Sequence, residues 1–197
     1  MKKTIFILIT IFAILISCVA NKEIFEAEKF ENFNNLTVQK VENKETDLGS
    51  KDISPSYDVR IGESLYPNKN KHQLETPKTY QRIVNKKFKL ITEYYYTSTD
   101  SLVRAIMYQW TEPRAGYGFD SRETDTKKFQ IKYDKLIKQL NSKLGEPTFI
   151  KVASDTAQSV FQDEIKWLNG NKNNAYLFML GSNESKYRRL RLVIYRE

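Results

Sequence analysis

The segment from residue 125 to residue 144 constrains the fold of this chain most strongly. Its apolar side chains fall at offsets 0, 4, 7, 8, 11 and 15, which is the spacing of one face of an α-helix. They are Phe129, Tyr133, Leu136, Ile137, Leu140 and Leu144. Asp125 or Thr126 can cap the start, and Gly145 followed by Pro147 supplies a stop. The pattern predicts a long helix whose apolar face must pack on another element.

Two segments before this helix and four after it have the composition of β-strands. Residues 88–97 and 102–110 are rich in aromatic and β-branched residues, and the turn-forming residues between them indicate a hairpin. The later segments are residues 148–152, 160–168, 175–180 and 187–196. The order β-β-α-β-β-β-β predicts an α+β fold with a single antiparallel β-sheet covered on one face by one long α-helix.

Two further expectations concern the edges of this pattern. Residues 57–61 alternate apolar and charged side chains and are a candidate first strand, whereas residues 62–78 have a loop composition. In the last strand Leu190, Leu192 and Ile194 point one way and Arg189, Arg191 and Tyr195 the other. This alternation predicts one buried and one solvated face of the sheet.

The first residues have the anatomy of a signal peptide. Lys2 and Lys3 precede an apolar run of 13 residues that ends at Ile16. A helix that spans a bilayer needs about 20 apolar residues, whereas the hydrophobic region of a secretory signal has about 7 to 15. We therefore predict that residues 1–17 are a signal peptide.

The end of the run reads Leu15-Ile16-Ser17-Cys18 and resembles the lipobox of bacterial lipoproteins. Cys18 is the one cysteine in the chain, and it stands where the box requires a thiol. The resemblance implies cleavage before Cys18, attachment of diacylglycerol to its sulfur, and acylation such as palmitoylation of the new amino group. Several acyl chains would make membrane attachment effectively permanent. Because residue 19 is Val rather than Asp, the resemblance implies the outer membrane, with the periplasmic or surface face left open.

Charge divides the rest of the chain. Residues 21–58 carry 5 basic and 9 acidic side chains, and residues 60–197 carry 25 basic and 15 acidic ones. A segment with the composition of residues 21–58 buries too little apolar surface to offset the entropy lost on ordering. Residues 18–56 are therefore predicted to be the lipidated N-terminus and a flexible tether. An alternative is a short amphipathic helix at residues 25–33. Residues 57–197 are predicted to be the globular α+β domain.

Several chemistries lack the residues that they need. A single cysteine excludes a disulfide framework and a Cys-rich zinc site, and His72 is the only histidine. No nucleotide-binding, zinc-protease or triad motif is present. The sequence therefore predicts no cofactor, no metal site and no nucleic-acid partner.

Arg188, Arg189 and Arg191 offer a candidate surface for an anionic ligand, since arginine forks bind phosphate, sulfate or carboxylate. The interpretation that we favour is structural. Arginines on a late strand protect an exposed sheet edge from pairing and keep its wet face soluble.

Residues 110–125 form the connection most typical of a functional site. They combine aromatic rings, carboxylates and arginines between a strand and the long helix. Ring faces can stack on sugars or on partner side chains, and charged groups can fix orientation by hydrogen bonds. The candidate ligand-binding residues are Trp110, Arg114, Tyr117 and Asp120.

Two classes of function remain at this point. The preferred one is a non-catalytic binding or assembly module for an envelope protein or glycan. The alternative is a glycan-processing enzyme that uses carboxylates of residues 110–125 as acid and base. A small sheet domain with one helix offers little depth for a catalytic pocket, and this favours the binding module.

Overall fold

Two α-helices, one short 3₁₀ helix (Pro67–Asn70) and eight strands are formed by the residues that the structure, a computed structural model, describes. These residues are 35–84, 86–112, 126–152, 160–170, 173–184 and 187–196, and they lie in the compact unit Asn34–Glu197. The elements in chain order are α1 (Val38–Asp47), β1 (Lys51–Asp52), β2 (Lys78–Val84), β3 (Phe88–Tyr96), β4 (Val103–Thr111), α2 (Thr126–Leu144), β5 (Phe149–Lys151), β6 (Val160–Trp167), β7 (Asn173–Ser182) and β8 (Arg188–Arg196). The predicted signal peptide, Cys18 and the candidate helix at residues 25–33 lie outside the described residues.

All described strands belong to one antiparallel sheet with the order β1-β2-β3-β4-β8-β7-β6-β5. The chain builds each half of the sheet from neighbouring strands, and β8 then pairs with β4 to join the halves. In the sequence, helix α2 lies between the two halves of the sheet. In the structure, it packs on one face of the sheet. The prediction of a single antiparallel sheet covered by one long helix is confirmed.

Helix α2 has the predicted face and stop. Phe129, Tyr133, Leu136 and Leu140 are buried, whereas Ile137 and Leu144 are half-buried. Gly145 takes the left-handed conformation that ends the helix, with φ of 83°, and its amide donates to Asn141 O. Trp167 Nε1 donates to Asn141 Oδ1 at 3.0 Å and to Gly145 O at 3.1 Å. The end of the helix is therefore fixed to β6.

The predicted flexible tether, residues 18–56, is wrong for its second half. Helix α1 and strand β1 both lie within it, with Thr37 as the helix N-cap. Val41 and Glu45 are fully buried against the rest of the domain. Composition missed this order because the segment is held by Val41, by the buried charge of Glu45 and by backbone hydrogen bonds such as that from Val38 N to Ser101 O, rather than by a broad apolar face.

One prediction about the start of the domain also needs correction. Residues 57–61 form no strand, and the first long strand is instead β2, which begins where the loop was expected to end. Ile61 belongs to the core rather than to a sheet ladder.

The prediction of one wet sheet face is only partly right. Leu190, Leu192 and Ile194 lie on the helix-covered face, as expected. On the opposite face Val193 and Tyr195 are also buried, because Ile61, Tyr66 and their neighbours pack on them. The rings of Tyr66 and Tyr195 meet edge-to-face at 5.6 Å. The loop of residues 61–74 thus gives the sheet a second, smaller core.

Candidate functional site

Trp110 lies in the core and does not belong to an exposed binding surface. It is fully buried on the helix-covered face of β4, where it stacks on Tyr108 at 6.0 Å between ring centroids. Lys132 Nζ of α2 lies 5.1 Å from the centroid of its indole. With both neighbours in place, the ring face is not available to a sugar, so the assignment of Trp110 as a ligand-binding residue is corrected. Arg114, Tyr117 and Asp120 lie outside the described residues.

The first carboxylate of the predicted loop is tied to the helix. Glu112 Oε2 accepts from Lys128 Nζ at 2.6 Å, and the side chains of both residues are largely shielded from solvent. Lys128 also lies near the rings of Phe88 and Phe129, at 5.6 and 5.9 Å. This ion pair holds the end of β4 to the first turn of α2, which is a structural task.

The arginines of β8 do not protect an edge, because β8 is a central strand between β4 and β7. Arg188 donates to Ser182 O at 2.8 Å and to Asn183 Oδ1 at 2.9 Å, and its guanidinium lies 4.6 Å from the ring centroid of Phe161. Burial lowers the pKa of Arg188. Its contacts fasten the β7–β8 hairpin, so the edge-protection interpretation is replaced by one of local packing.

Arg191 occupies a different environment on the face opposite α2. Its Nε donates to Gln109 Oε1 of β4 at 2.7 Å. Burial lowers the pKa of the Arg191 guanidinium, and the positive charge of Arg189 lowers it further. No ion pair joins Arg191 to a carboxylate among the described residues. An anion that reached this face would meet a guanidinium that Gln109 already orients.

A partly buried carboxyl lies near this arginine. Glu93 of β3 accepts a hydrogen bond from the Tyr95 hydroxyl. Burial raises the pKa of Glu93, against opposing effects of the Tyr95 hydrogen bond and of Arg191. Burial and the neighbouring Glu93 in turn raise the pKa of Tyr95. The Tyr95 hydroxyl therefore keeps its proton and donates it in the hydrogen bond to Glu93.

A second carboxylate on the same face is held by β6 and β7. Glu164 accepts from Tyr176 at 2.7 Å and from Gln162 at 2.7 Å. Lys166 lies over the ring of Tyr176 at 4.6 Å. The carboxylate is oriented by its neighbours, which is typical of a structural network as well as of a binding surface.

Sequence reasoning missed a buried cluster that joins α1 to the sheet. Glu45 accepts from Arg82, from Ser50 and, at 2.5 Å, from the hydroxyl of Tyr94. These partners lie in β2, β3 and the turn after α1, so no local motif could have revealed them. The cluster fixes the segment that leads back toward Cys18.

The described residues therefore form a small α+β domain with one eight-stranded sheet. Its helices lie on one face of the sheet, and the polar side chains of Glu93, Glu164 and Arg191 lie on the other. No family model, curated protein or solved structure matches the chain. Within the described ranges, no group of His, Cys, Asp and Glu side chains could hold a metal ion. In the same part of the chain, no helix has both the length and the apolar character needed to cross a membrane.

Proposed function

We propose that this chain is an exported bacterial lipoprotein, anchored in the cell envelope through Cys18, whose domain is a non-catalytic binding or assembly module for an envelope protein or glycan. The observation that carries the proposal is the N-terminal pattern. A basic start, an apolar run of 13 residues and the sole cysteine at the lipobox position occur together. Its membrane is the outer membrane, and its partners are the lipid bilayer and a component of the envelope.

The buried Glu45 cluster limits the length of chain that can separate the folded domain from a lipid on Cys18. It ties the segment after residue 35 to β2 and β3 through charged hydrogen bonds. Such pairs are costly to break once buried. The stretch left to connect the domain to a lipid is therefore residues 18–34 rather than residues 18–56.

The engagement of Glu112 supports binding rather than glycan hydrolysis. An acid–base pair needs two carboxyl groups free to reach a substrate, and the ion pair with Lys128 occupies Glu112. The enzymatic alternative would have to use two of Asp120, Glu123 and Asp125 instead. Arg114, Tyr117 and Asp120 remain the proposed contact residues, and Trp110 supports strand β4, which precedes them in the chain, from the core.

Lipidation is tested by mass spectrometry of the protein extracted from membranes. We expect loss of residues 1–17 and an acylated Cys18 at the new N-terminus. The Cys18→Ala variant should lose the acyl mass and leave the membrane fraction. An unmodified Cys18 in membrane-bound protein would overturn the proposal.

Binding is tested with the detergent-solubilised chain as bait for envelope extract. We compare the parent with Tyr117→Ala and with the double variant Arg189→Ala/Arg191→Ala, at low and at moderate salt. A partner that the parent retains at moderate salt and that only Tyr117→Ala loses supports the loop, because stacking is less salt-sensitive than attraction between charges. A partner lost only in the arginine variant would move the site to the sheet face.

A further inference from the structure

Strand β5 forms an edge of the sheet with unusual exposure of apolar side chains. All three of its residues are exposed, with Phe149 at 42% and Ile150 at 59%. Val152 just beyond the strand is 62% exposed, and Val160 at the start of β6 is 64% exposed. Isolated apolar side chains on a surface are ordinary, but a row of them along a strand edge is a template for pairing.

The opposite edge of the sheet, formed by β1, exposes charged rather than apolar side chains. Strand β1 covers part of β2, and the backbone beyond it adds a hydrogen bond from Ile53 N to Thr79 O at 2.8 Å. The exposed residues of β1 itself are Lys51 and Asp52, which are charged. Charged side chains on an edge strand discourage pairing with another chain. On β5 the one charged residue, Lys151, is directed toward Glu164 of β6, at 3.8 Å.

We propose that the β5 edges of two copies of this chain pair antiparallel about a two-fold axis, which joins their sheets into one. Such an interface is isologous, so each residue meets a residue of the same patch. With the axis at Ile150, this side chain faces Ile150 of the second copy, and Phe149 faces Lys151 of the second copy. The proposal goes beyond the proposed lipoprotein function and does not depend on lipidation.

The side chains of β5 and β6 match this register on both faces. On one face Ile150 pairs with the buried Ile165 of β6, so the dimer would place four isoleucines in one row across the seam. Directly opposite residues on antiparallel strands interact most strongly. The now exposed Ile150 would thereby be covered by an identical apolar side chain.

The other face repeats a contact that already exists within one copy. Lys166 lies 5.3 Å from the ring centroid of Phe149, its neighbour in the register. In the dimer Lys151 of the second copy would flank the same ring from the other side. Each Phe149 would then lie between two lysines, an arrangement that cation–π attraction favours.

The pairing is short, which sets its strength. An edge of three residues with its flanks buries less than the roughly 1,000 Å² expected of a stable protein interface. We therefore expect a weak dimer that forms at high local concentration, such as among copies held on one membrane.

Cysteine cross-linking captures weak pairing and also reports the register. Across the two-fold axis Cβ atoms would lie about 4.5–5.5 Å apart, close to the range that a disulfide bridges after small adjustment. We compare Ile150→Cys with Ile131→Cys in the full chain, in membranes of expressing cells, after mild oxidation. Ile131 is the matched control, because it is 60% exposed but lies on α2. The parent chain measures any cross-linking through Cys18.

We expect Ile150→Cys to form a reducible dimer of this chain much faster than Ile131→Cys or the parent. Equal rates for the two variants would overturn the proposal, since collision alone would explain them. A disulfide between Ile150→Cys and a different protein would also overturn it, because the edge would then serve another partner.

A second measurement does not rely on a disulfide. Light scattering of the detergent-solubilised parent should show a mass that rises with concentration toward that of a dimer. Ile150→Lys should remain monomeric because it places like charges opposite each other, whereas Ile131→Lys should behave as the parent. Circular dichroism checks that both variants are folded. A parent that stays monomeric at the highest concentration, with no selective cross-link, contradicts the proposal, and the lipid and pull-down results are unaffected by that outcome.

Discussion

The carboxylate of Glu45 is fully buried and pairs with the guanidinium of Arg82, which lies 37 positions later in the chain. The hydroxyl of Tyr94 donates to the other oxygen of the same carboxylate. A carboxylate removed from water is tolerated only when its hydrogen-bonding capacity is met, and here three side chains meet it. This relationship explains why an acidic, apolar-poor segment is ordered on the sheet.

We expect Glu45→Ala to destabilise the domain by about 3–5 kcal/mol, because it leaves the charge of Arg82 without its partner. Glu42→Ala, on the same helix, removes a half-exposed pair with Lys78 and should cost about 0–1 kcal/mol. Urea denaturation of both variants measures the difference. Similar, small losses would mean that the Glu45 pair does not fix α1 to the sheet.

The apolar face of α2 gives a second test. Leu140→Ala should cost about 2–5 kcal/mol, because it leaves a cavity at a fully buried position. Lys138→Ala on the exposed side of the same helix should change stability by less than about 0.5 kcal/mol. Thermal unfolding of the two variants distinguishes a core face from a surface face, and equal shifts would contradict the assignment.

The two tryptophans allow a comparison of buried indole N–H groups. Both rings are fully buried, but Trp167 Nε1 makes two hydrogen bonds, whereas Trp110 Nε1 makes none within the structure. Trp167→Phe should therefore cost about 1–3 kcal/mol more than Trp110→Phe, since it also strands the acceptors at the end of α2. Chemical denaturation of the two variants measures the gap. A larger loss for Trp110→Phe would contradict the assignment of the two hydrogen bonds to Trp167.

Two carboxyl groups should respond to pH with opposite signs. Burial raises the pKa of Glu93 above its usual range, so the folded state binds protons more readily than the unfolded state, and stability falls as pH rises through that window. Glu93→Gln can still accept from Tyr95 and should be more stable than the parent at neutral pH. Its advantage should vanish below the ordinary glutamate pKa of about 4.3.

Asp100 is the opposite case. Hydrogen bonds from Thr97 and from the amide of Leu102 lower its pKa, so its contribution to stability is present at neutral pH and is lost as pH falls through the lowered value. Asp100→Asn should therefore be less stable than the parent at neutral pH and equal to it in acid. Unfolding curves over a pH series test both carboxyl groups, and differences that do not change with pH would refute the two assignments.

Local patterns predicted the parts of the fold that local interactions determine. Helix α2 was predictable because its cap, its face and its Gly145 stop all lie within one stretch of chain. The arginines of β8 were misinterpreted for the converse reason. Whether a strand is central or at an edge depends on the order β4-β8-β7, and no pattern within β8 carries that information.

In the candidate site, too, local sequence predicts some features, whereas others depend on contacts between distant segments. Alternation along β4 indicates that Trp110 shares a face with Tyr108, but only the packing of α2 shows which face is inside. Glu45 could not be recognised as buried, because its partners come from two other strands. Arg114, Tyr117 and Asp120 stay predictions.

The position of β8 has a consequence for how the domain forms during synthesis. Its residues are the last of the described chain to emerge from the ribosome, yet they pair with β4 on one side and β7 on the other. Until they emerge, the two halves of the sheet have no common strand, and their apolar faces are exposed to other proteins. Loop closure over such a distance is slow compared with forming a local hairpin. We therefore expect the domain to become resistant to proteases in one late step, and loss of the last ten residues would remove the middle of the sheet rather than its margin.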